Sequence, residues 1–161
     1  MNSEKQFRNM RRIGQALPVE DCEDILGSAM RGTLAVIGDG GYPYSFPINY
    51  LYDDGRLFFH CAREGHKLDA IRICNKACFT VIGEPVKEPG EWWYHVHSVI
   101  CFGRVRLMEE GEGKMARLRQ IGEKYFPEGY DIEGDLLKNG PRAEVIEFII
   151  EYMSGNRVKE K

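Results

Sequence analysis

The sequence of 161 residues contains no apolar run long enough to span a bilayer and no large excess of charge of one sign. Its first residues, MNSEKQFRNMRR, lack the apolar segment of a secretory signal peptide. The net charge of −3 offers no general attraction to nucleic acid or to acidic membranes. From these absences we expect a cytoplasmic protein with neither a nucleic-acid partner nor a membrane partner.

Several motifs of cofactor binding and catalysis are also missing. The chain has no GxGxxG, Walker or GxSxG sequence, so a Rossmann-type dinucleotide site is not indicated. Its five cysteines form no CxxC pair, and their odd number favours reduced thiols over a disulfide framework. His95 and His97 share one face of a strand, but the HxH pattern has no third ligand at a recognisable spacing, so no metal site is predicted.

Length and composition are those of one ordinary globular domain, with 43% hydrophobic and 29% charged residues. Residues 1–16 are polar and basic, and we expect this segment to be loosely held. Residues 17–161 are expected to form a single domain, because no repeat or linker rich in proline or serine interrupts them.

Hydrophobic spacing predicts helices over 18–30, 66–75 and 111–126. Strands are predicted in GTLAVIG, YSFPINYLY, RLFFHCA, ACFTVIGEPV, a long bent segment over 92–108 with a bulge at Gly103, and a last strand over 145–153. The turns DGGYP and DDG join successive strands as hairpins. The fold class expected is mainly β or α+β, a small barrel-like antiparallel sheet of about six strands with flanking helices.

Two prolines mark one predicted strand as unusual. Pro43 and Pro47 each remove a backbone donor, which is awkward inside a central strand and indicates a bulge or an edge. An edge strand leaves backbone groups free to meet a ligand.

The stretch REGHKLDAI combines glycine with cationic side chains where a strand gives way to a helix. Helix N-termini bind anions, phosphate above all, and Gly65 would allow close approach while Lys67 and His66 add charge. A solvated turn with a surface lysine is the alternative, and the spacing alone leaves it open.

Aromatic residues and a histidine lie near this turn. His60 ends the strand RLFFHCA, where it is either a structural side chain or part of a pocket for a phosphorylated aromatic cofactor. Trp92 and Trp93 either cover a planar ring or belong to the core or an interface.

Four segments together resemble the flavoproteins related to pyridoxamine-phosphate oxidase, and in particular their nitroimidazole-resistance (Nim-type) branch. They are MRR, GTLAVIGDGGYPYSFPINYLYDDGRLFFHCAREGHKLDAI, SVICFGRV and SGN, spanning residues 8–157. The resemblance implies an FMN-binding split β-barrel that forms a homodimer with the flavin at the interface.

The resemblance also assigns roles to individual residues. The strand of Pro47, Ile48, Asn49 and Tyr50 would run along the isoalloxazine ring and meet its polar edge with backbone groups. The ribityl and phosphate side would be held by His60 and Cys61, and the phosphate itself would be bound by Gly65, His66 and Lys67. The flavin would also be touched by Ser98 and Val99. The sequence departs from true pyridoxamine phosphate oxidases, since SFPINY lacks their arginine and lysine and Gly-His-Lys replaces Ser-Arg-Lys. Vitamin B6 synthesis is therefore not expected.

We accordingly expect an FMN-dependent oxidoreductase that passes electrons from a reduced nicotinamide or another donor to a small aromatic or nitro-type acceptor. His60 is the candidate proton donor, and a contact to the ribityl chain or phosphate is its alternative role. Two other functions stay open. One is a flavin-binding or redox-sensing module without turnover, and the other is a haem-binding split barrel that uses His60, His66, His95 or His97.

Overall fold

Seven strands form one antiparallel sheet, with four helices around it, in a computed structural model that describes residues 7–161. The strands are β1 (Arg31–Ile37), β2 (Pro43–Asn49), β3 (Leu51–Asp53), β4 (Arg56–Ala62), β5 (Lys76–Ile82), β6 (Tyr94–Leu107) and β7 (Ala143–Glu160). The helices are α1 (Val19–Ser28), α2 (His66–Ile73), α3 (Glu112–Tyr125) and α4 (Ile132–Asn139). The sheet curls into a half-barrel, which confirms the predicted fold class.

The sheet has the strand order β2-β1-β5-β6-β7-β4-β3. Its two edge strands, β2 and β3, are consecutive in the chain and are separated only by Tyr50. The sheet must therefore curl until its edges meet. Pro43 and Pro47 lie on the edge strand β2, so the prediction of a bulge or an edge is resolved in favour of an edge.

Three features of the sheet differ from the sequence-based expectation or refine it. The predicted strand over 44–52 is broken at Tyr50 into β2 and β3, and the last strand runs to Glu160 instead of ending at 153. The predicted bulge at Gly103 is confirmed by a register shift between Phe102 and Gly103. A side chain at Gly103 would collide with the carbonyl oxygen of Ile149, which explains the glycine.

Helix α4 was not predicted. It is only eight residues long and buries one of them, Leu136, so its hydrophobic period is too short to recognise. Its start is nevertheless well defined, because the side chain of Asp131 accepts a hydrogen bond of 2.9 Å from the Gly134 N–H group.

The protein has two apolar cores on opposite faces of β4. Leu57 and Phe59 point into the main core inside the curled sheet, whereas Phe58 points outward into a second cluster formed by α3, α4 and β7. The run Leu57–Phe58–Phe59 is therefore buried throughout instead of alternating. His60 follows Phe58 by two residues and so shares its outward direction.

The Tyr50 side chain and backbone hold the junction between the two sheet edges. Its hydroxyl donates a buried hydrogen bond of 2.7 Å to the Leu26 carbonyl of α1, and its ring meets Phe79 edge to face. Its N–H group donates to the Tyr125 hydroxyl at 2.9 Å. Its carbonyl accepts from Lys124 Nζ at 3.1 Å, and this ammonium also bonds the Ala29 carbonyl. One residue thus ties α1 and α3 to the sheet.

The N-terminal segment lies only partly within the described residues, because residues 1–6 are outside them. Phe7 stacks on Tyr152 with ring centroids 5.1 Å apart, and Ala16 pairs with Asn156. Within the described part of the chain, no helix is both long enough and apolar enough to cross a membrane.

Replacing Tyr50 by phenylalanine should lower the free energy of unfolding by about 1–3 kcal/mol, because the buried Leu26 carbonyl would lose its donor. Urea denaturation of Tyr50→Phe and the parent measures this difference. Tyr42→Phe is the matched control, since 77% of Tyr42 is exposed. Equal free energies of unfolding for Tyr50→Phe and Tyr42→Phe would contradict the stabilising role of the Tyr50 hydroxyl.

Candidate functional site

A groove runs along the gap where β2 faces β4, which we call the seam groove. It encloses about 400 Å³ and is lined by Arg31, Pro47, Ile48, Asn49 and His60. On β2, the odd-numbered side chains point away from the main core, and on β4 the even-numbered side chains do so. The groove therefore brings Pro47 and Asn49 to the same surface as His60.

The N-terminus of α2 is linked to the seam groove through Lys67, whose charge acts on the groove residue His60. Gly65 precedes the helix with φ of 124°, a conformation that favours glycine. Among the described residues, no side chain caps the free N–H groups of the first turn. These N–H groups and the helix dipole make the turn attractive to an anion.

Two side chains of the first turn of α2 contact side chains of the edge strand β2. The His66 ring stacks on Tyr44 with centroids 4.2 Å apart, and Lys67 Nζ lies 4.8 Å from the centroid of the Phe46 ring. His66 Nε2 is also 3.6 Å from the Asp39 carboxylate. The two most distinctive sequence segments, YPYSFPINY and REGHKLD, are thus brought together.

The Lys67 ammonium affects the pKa values of His60 and Cys61. Burial by the surrounding protein and, second, the Lys67 ammonium lower the pKa of His60, although its side chain keeps an exposed surface. The imidazole is therefore neutral at pH 7. Burial raises the pKa of the Cys61 thiol, an effect that Lys67 opposes only partly. Cys61 points into the main core and remains a thiol.

A second cavity adjoins the seam groove, and we call it the α3–α4 cavity. It has a volume of about 390 Å³ and lies between α3, α4 and the sheet. Apolar side chains form most of its wall, including Leu118, Ile121 and Leu136. Asn49 and His60 line both cavities, so the two spaces adjoin at these side chains.

Tyr50 does not take part in the seam groove. Its side chain is fully buried, and both its backbone N–H and its carbonyl are hydrogen bonded by residues of α3. Of the four consecutive residues that the resemblance places along a flavin ring, Pro47, Ile48 and Asn49 line the groove. The backbone groups of Tyr50 are already used to close the sheet.

Ser98 and Val99 lie on β6, away from the groove. Ser98 pairs with Ile82 and shares the outward face of the sheet with Asn49, three strands away, a separation on the order of 14 Å. Val99 has no exposed surface and points into the main core. Only Ser98 of this pair therefore presents a side chain on the face where the groove opens.

The seam groove is not lined by the two tryptophans or by His95 and His97. Trp92 and Trp93 meet edge to face before β6, where Lys161 Nζ lies 4.7 Å from the Trp93 ring centroid. His95 is buried, with Nε2 2.6 Å from a Glu91 carboxylate oxygen and Nδ1 accepting from Arg157. Among residues 7–161, no three histidine, cysteine or acidic side chains gather as a metal site.

Arg31 is a groove residue that the sequence reasoning missed. It stands at the start of β1, and its outward position follows from its pairing with Asn49. A basic residue directly before GTLAVIG was the available signal. Pairing across strands, which the sequence does not show, was needed to place it in the groove.

Replacing Lys67 by methionine should raise the pKa of His60 toward its ordinary value, because a positive charge that disfavours the imidazolium would be removed. The rise should be partial, since burial is the larger cause of the lowered pKa. Titration of the His60 ring signals by NMR measures the change, and Lys87→Met, which lies near Tyr94 instead, is the control. An unchanged His60 pKa in Lys67→Met would show that the charge of Lys67 does not act on His60.

Residues 18–157 match the family model described as pyridoxamine 5'-phosphate oxidase. No curated protein matches the chain. The structural matches include a candidate 5-nitroimidazole antibiotic resistance protein from Bacteroides thetaiotaomicron, with a TM-score of 0.74, 21% identity, and coverage of 89% of this chain and 87% of that chain.

Two further structural matches have cofactors in their descriptions. A FAD-binding protein from Mesorhizobium loti has a TM-score of 0.65 at 20% identity, over 89% of this chain and 97% of that chain. A FAD and haem binding protein from Mycobacterium smegmatis has a TM-score of 0.70 at 19% identity, over 88% of this chain and 72% of that chain. At these identities the structures show a shared fold. The family match covers most of the sequence, and the chain therefore belongs to the pyridoxamine 5'-phosphate oxidase family.

Proposed function

We propose that the protein is a flavoprotein that binds FMN in the seam groove and acts as an oxidoreductase. The observation that carries this proposal is the position of the uncapped α2 N-terminus and Lys67 beside an open edge strand. A phosphate recognition point and an exposed strand edge at one groove are what a flavin mononucleotide requires.

The residues of the groove fit the parts of FMN. Gly65, His66 and Lys67 would hold the phosphate, and within the described residues Lys67 has no carboxylate partner that would compete for it. The outer edge of β2 pairs with no strand, which leaves backbone groups near Pro47 and Asn49 for the polar edge of the ring.

A single phosphate site favours FMN over a dinucleotide. The phosphate end is one helix turn, and the sequence has no GxGxxG motif for a pyrophosphate. Two structural matches are described as FAD-binding, so FAD is the cofactor to compare in the same titration.

When bound, FMN would supply reversible two-electron transfer, accepting a hydride from a reduced nicotinamide and giving two electrons to an acceptor. For a nitro compound, two electrons and two protons produce the nitroso compound and water. Both substrates would use the same ring face in turn. The match to a candidate nitroimidazole resistance protein supports a small nitroaromatic acceptor.

His60 has two possible tasks in this reaction. A lowered pKa leaves its ring neutral at pH 7, and a neutral imidazole is a poor acid. The lowered pKa therefore favours a hydrogen-bonding contact to the cofactor over proton donation. Asn49, on β2, would position the ring with its amide.

Two alternative functions are separated by spectra. A redox-sensing module would bind flavin without turnover. Anaerobic bleaching of the flavin by NADH or NADPH would argue against such a module. Haem binding would give a Soret band. His95 is a weak haem candidate because both of its ring nitrogens are already engaged, which leaves His60 as the histidine that lines the groove.

Lys67→Ala should weaken FMN binding roughly tenfold or more, because a charge-assisted contact to phosphate contributes about 1.5–3 kcal/mol. Fluorescence titration of the protein with FMN, riboflavin and FAD measures the affinities, with Lys87→Ala as the control. Riboflavin affinity should be nearly unchanged by the substitution, since riboflavin has no phosphate. Equal FMN affinity in Lys67→Ala and the parent would remove the phosphate assignment.

A homodimer is also part of the proposal. The outward face of β5 and β6 exposes Ile82, Ile100 and Phe102, with 66%, 37% and 39% of their surface accessible. On the same face, Asn156 pairs with Ser98, and its Oδ1 atom is enclosed without a partner among the described residues. A second copy packed on this face would cover the apolar side chains and close the seam groove from outside.

Sedimentation should therefore show a dimer, and Ile100→Lys should shift it toward monomer and reduce bound FMN in parallel. Leu137→Lys is the control, because Leu137 is 82% exposed on α4. A monomer that keeps its FMN would contradict the interfacial site.

A further inference from the structure

We propose that the α3–α4 cavity is the binding site of the electron acceptor and that it selects small, uncharged aromatic molecules. This inference rests on the proposed function, since the seam groove is taken as the place of the flavin. It adds a second, separate site on the other side of Asn49 and His60.

The shared wall between the two spaces is the first argument. Asn49 and His60 line both the seam groove and the α3–α4 cavity. A molecule in the cavity therefore lies beside whatever occupies the groove. Electron transfer from a cofactor to an acceptor requires that the two molecules lie next to each other, and the shared side chains place the two spaces in that relation.

The shape and lining of the cavity give the second argument. Its volume of about 390 Å³ lies within the range of small-molecule sites, roughly 300–1,000 Å³. Leu118, Ile121 and Leu136 supply an apolar wall, and packing in the second core holds them in place. A planar apolar ring is the ligand that such walls stabilise.

Charge provides the third argument. Arg31 lines the seam groove, and Lys67 acts on His60 there. Among residues 7–161, Asp135 is the only acidic residue on the cavity wall, and no lysine or arginine lines it. The Asp135 carboxylate is held in place by hydrogen bonds from Asn139 at 2.8 Å and from the Tyr130 hydroxyl at 3.3 Å. Anions are thus directed to the groove and repelled from the cavity.

Nitrobenzene and 4-nitrobenzoate are the matched probes, because they share a ring and a nitro group and differ by one carboxylate. Equilibrium dialysis against the purified, FMN-supplemented protein, without a reductant, measures binding independently of turnover. The parent should bind nitrobenzene at least about tenfold more tightly than 4-nitrobenzoate, because the carboxylate would meet Asp135 and an apolar wall. Equal or reversed affinities would overturn the proposal.

Ala143→Phe fills the cavity from its β7 side and should weaken nitrobenzene binding about tenfold or more while FMN content stays the same. Ala116→Phe makes the same substitution at an exposed position of α3 outside the cavity and should leave both unchanged. If Ala143→Phe keeps FMN and binds nitrobenzene like the parent, the cavity is not the acceptor site.

Asp135→Asn tests the charge without changing the size of the side chain. It should narrow the preference for nitrobenzene over 4-nitrobenzoate about tenfold, and an unaltered preference would overturn the assigned selectivity. If Ala143→Phe fails to fold, Asp135→Asn still tests whether the α3–α4 cavity binds the acceptor. Nitrobenzene binding that Ala143→Phe abolishes, in a protein that takes up no FMN, would support the cavity and refute the proposed function.

Discussion

The curl of the sheet depends on one residue that joins its two edges. Because β2 and β3 are consecutive in the chain but opposite in the sheet, the backbone must turn from one edge to the other at Tyr50. The turn leaves backbone groups of a buried residue in need of partners, and Tyr125 and Lys124 at the end of α3 supply them. The same ammonium bonds the last turn of α1, so both helices are fixed to the junction.

The functional surface is a consequence of this closure. A curled sheet whose edges approach without pairing leaves a gap, and the outward side chains of β2 and β4 line it. The charge of Lys67 on α2 acts on His60 in this gap, and α3 with α4 forms an apolar cavity next to it. Positive charge and apolar surface thereby adjoin at two side chains, Asn49 and His60. The proposed reaction between an anionic cofactor and a neutral acceptor is built on this arrangement.

Much of the fold follows from local patterns. The amphipathic periods of α1, α2 and α3, the hairpin turns, the edge character of β2 and the bulge at Gly103 are all local features, and each was predictable. Helix α4 was not, because eight residues with one buried side chain carry too little periodicity. The break at Tyr50 also escaped prediction, since an aromatic residue inside an alternating apolar run is typical of a continuous strand.

The sequence alone determined the chemistry available at the site: an uncapped glycine before a helix, a lysine in the first turn, prolines that keep a strand at an edge, and a histidine at the end of a strand. These are properties of a few neighbouring residues, and local geometry expresses them directly. The tertiary structure alone decided which of them meet. Strand pairing places Arg31 in the groove. Hydrogen bonds to α3 occupy the backbone of Tyr50, and Val99 lies buried in the core. Such outcomes depend on contacts between residues distant in the chain, which no local pattern records.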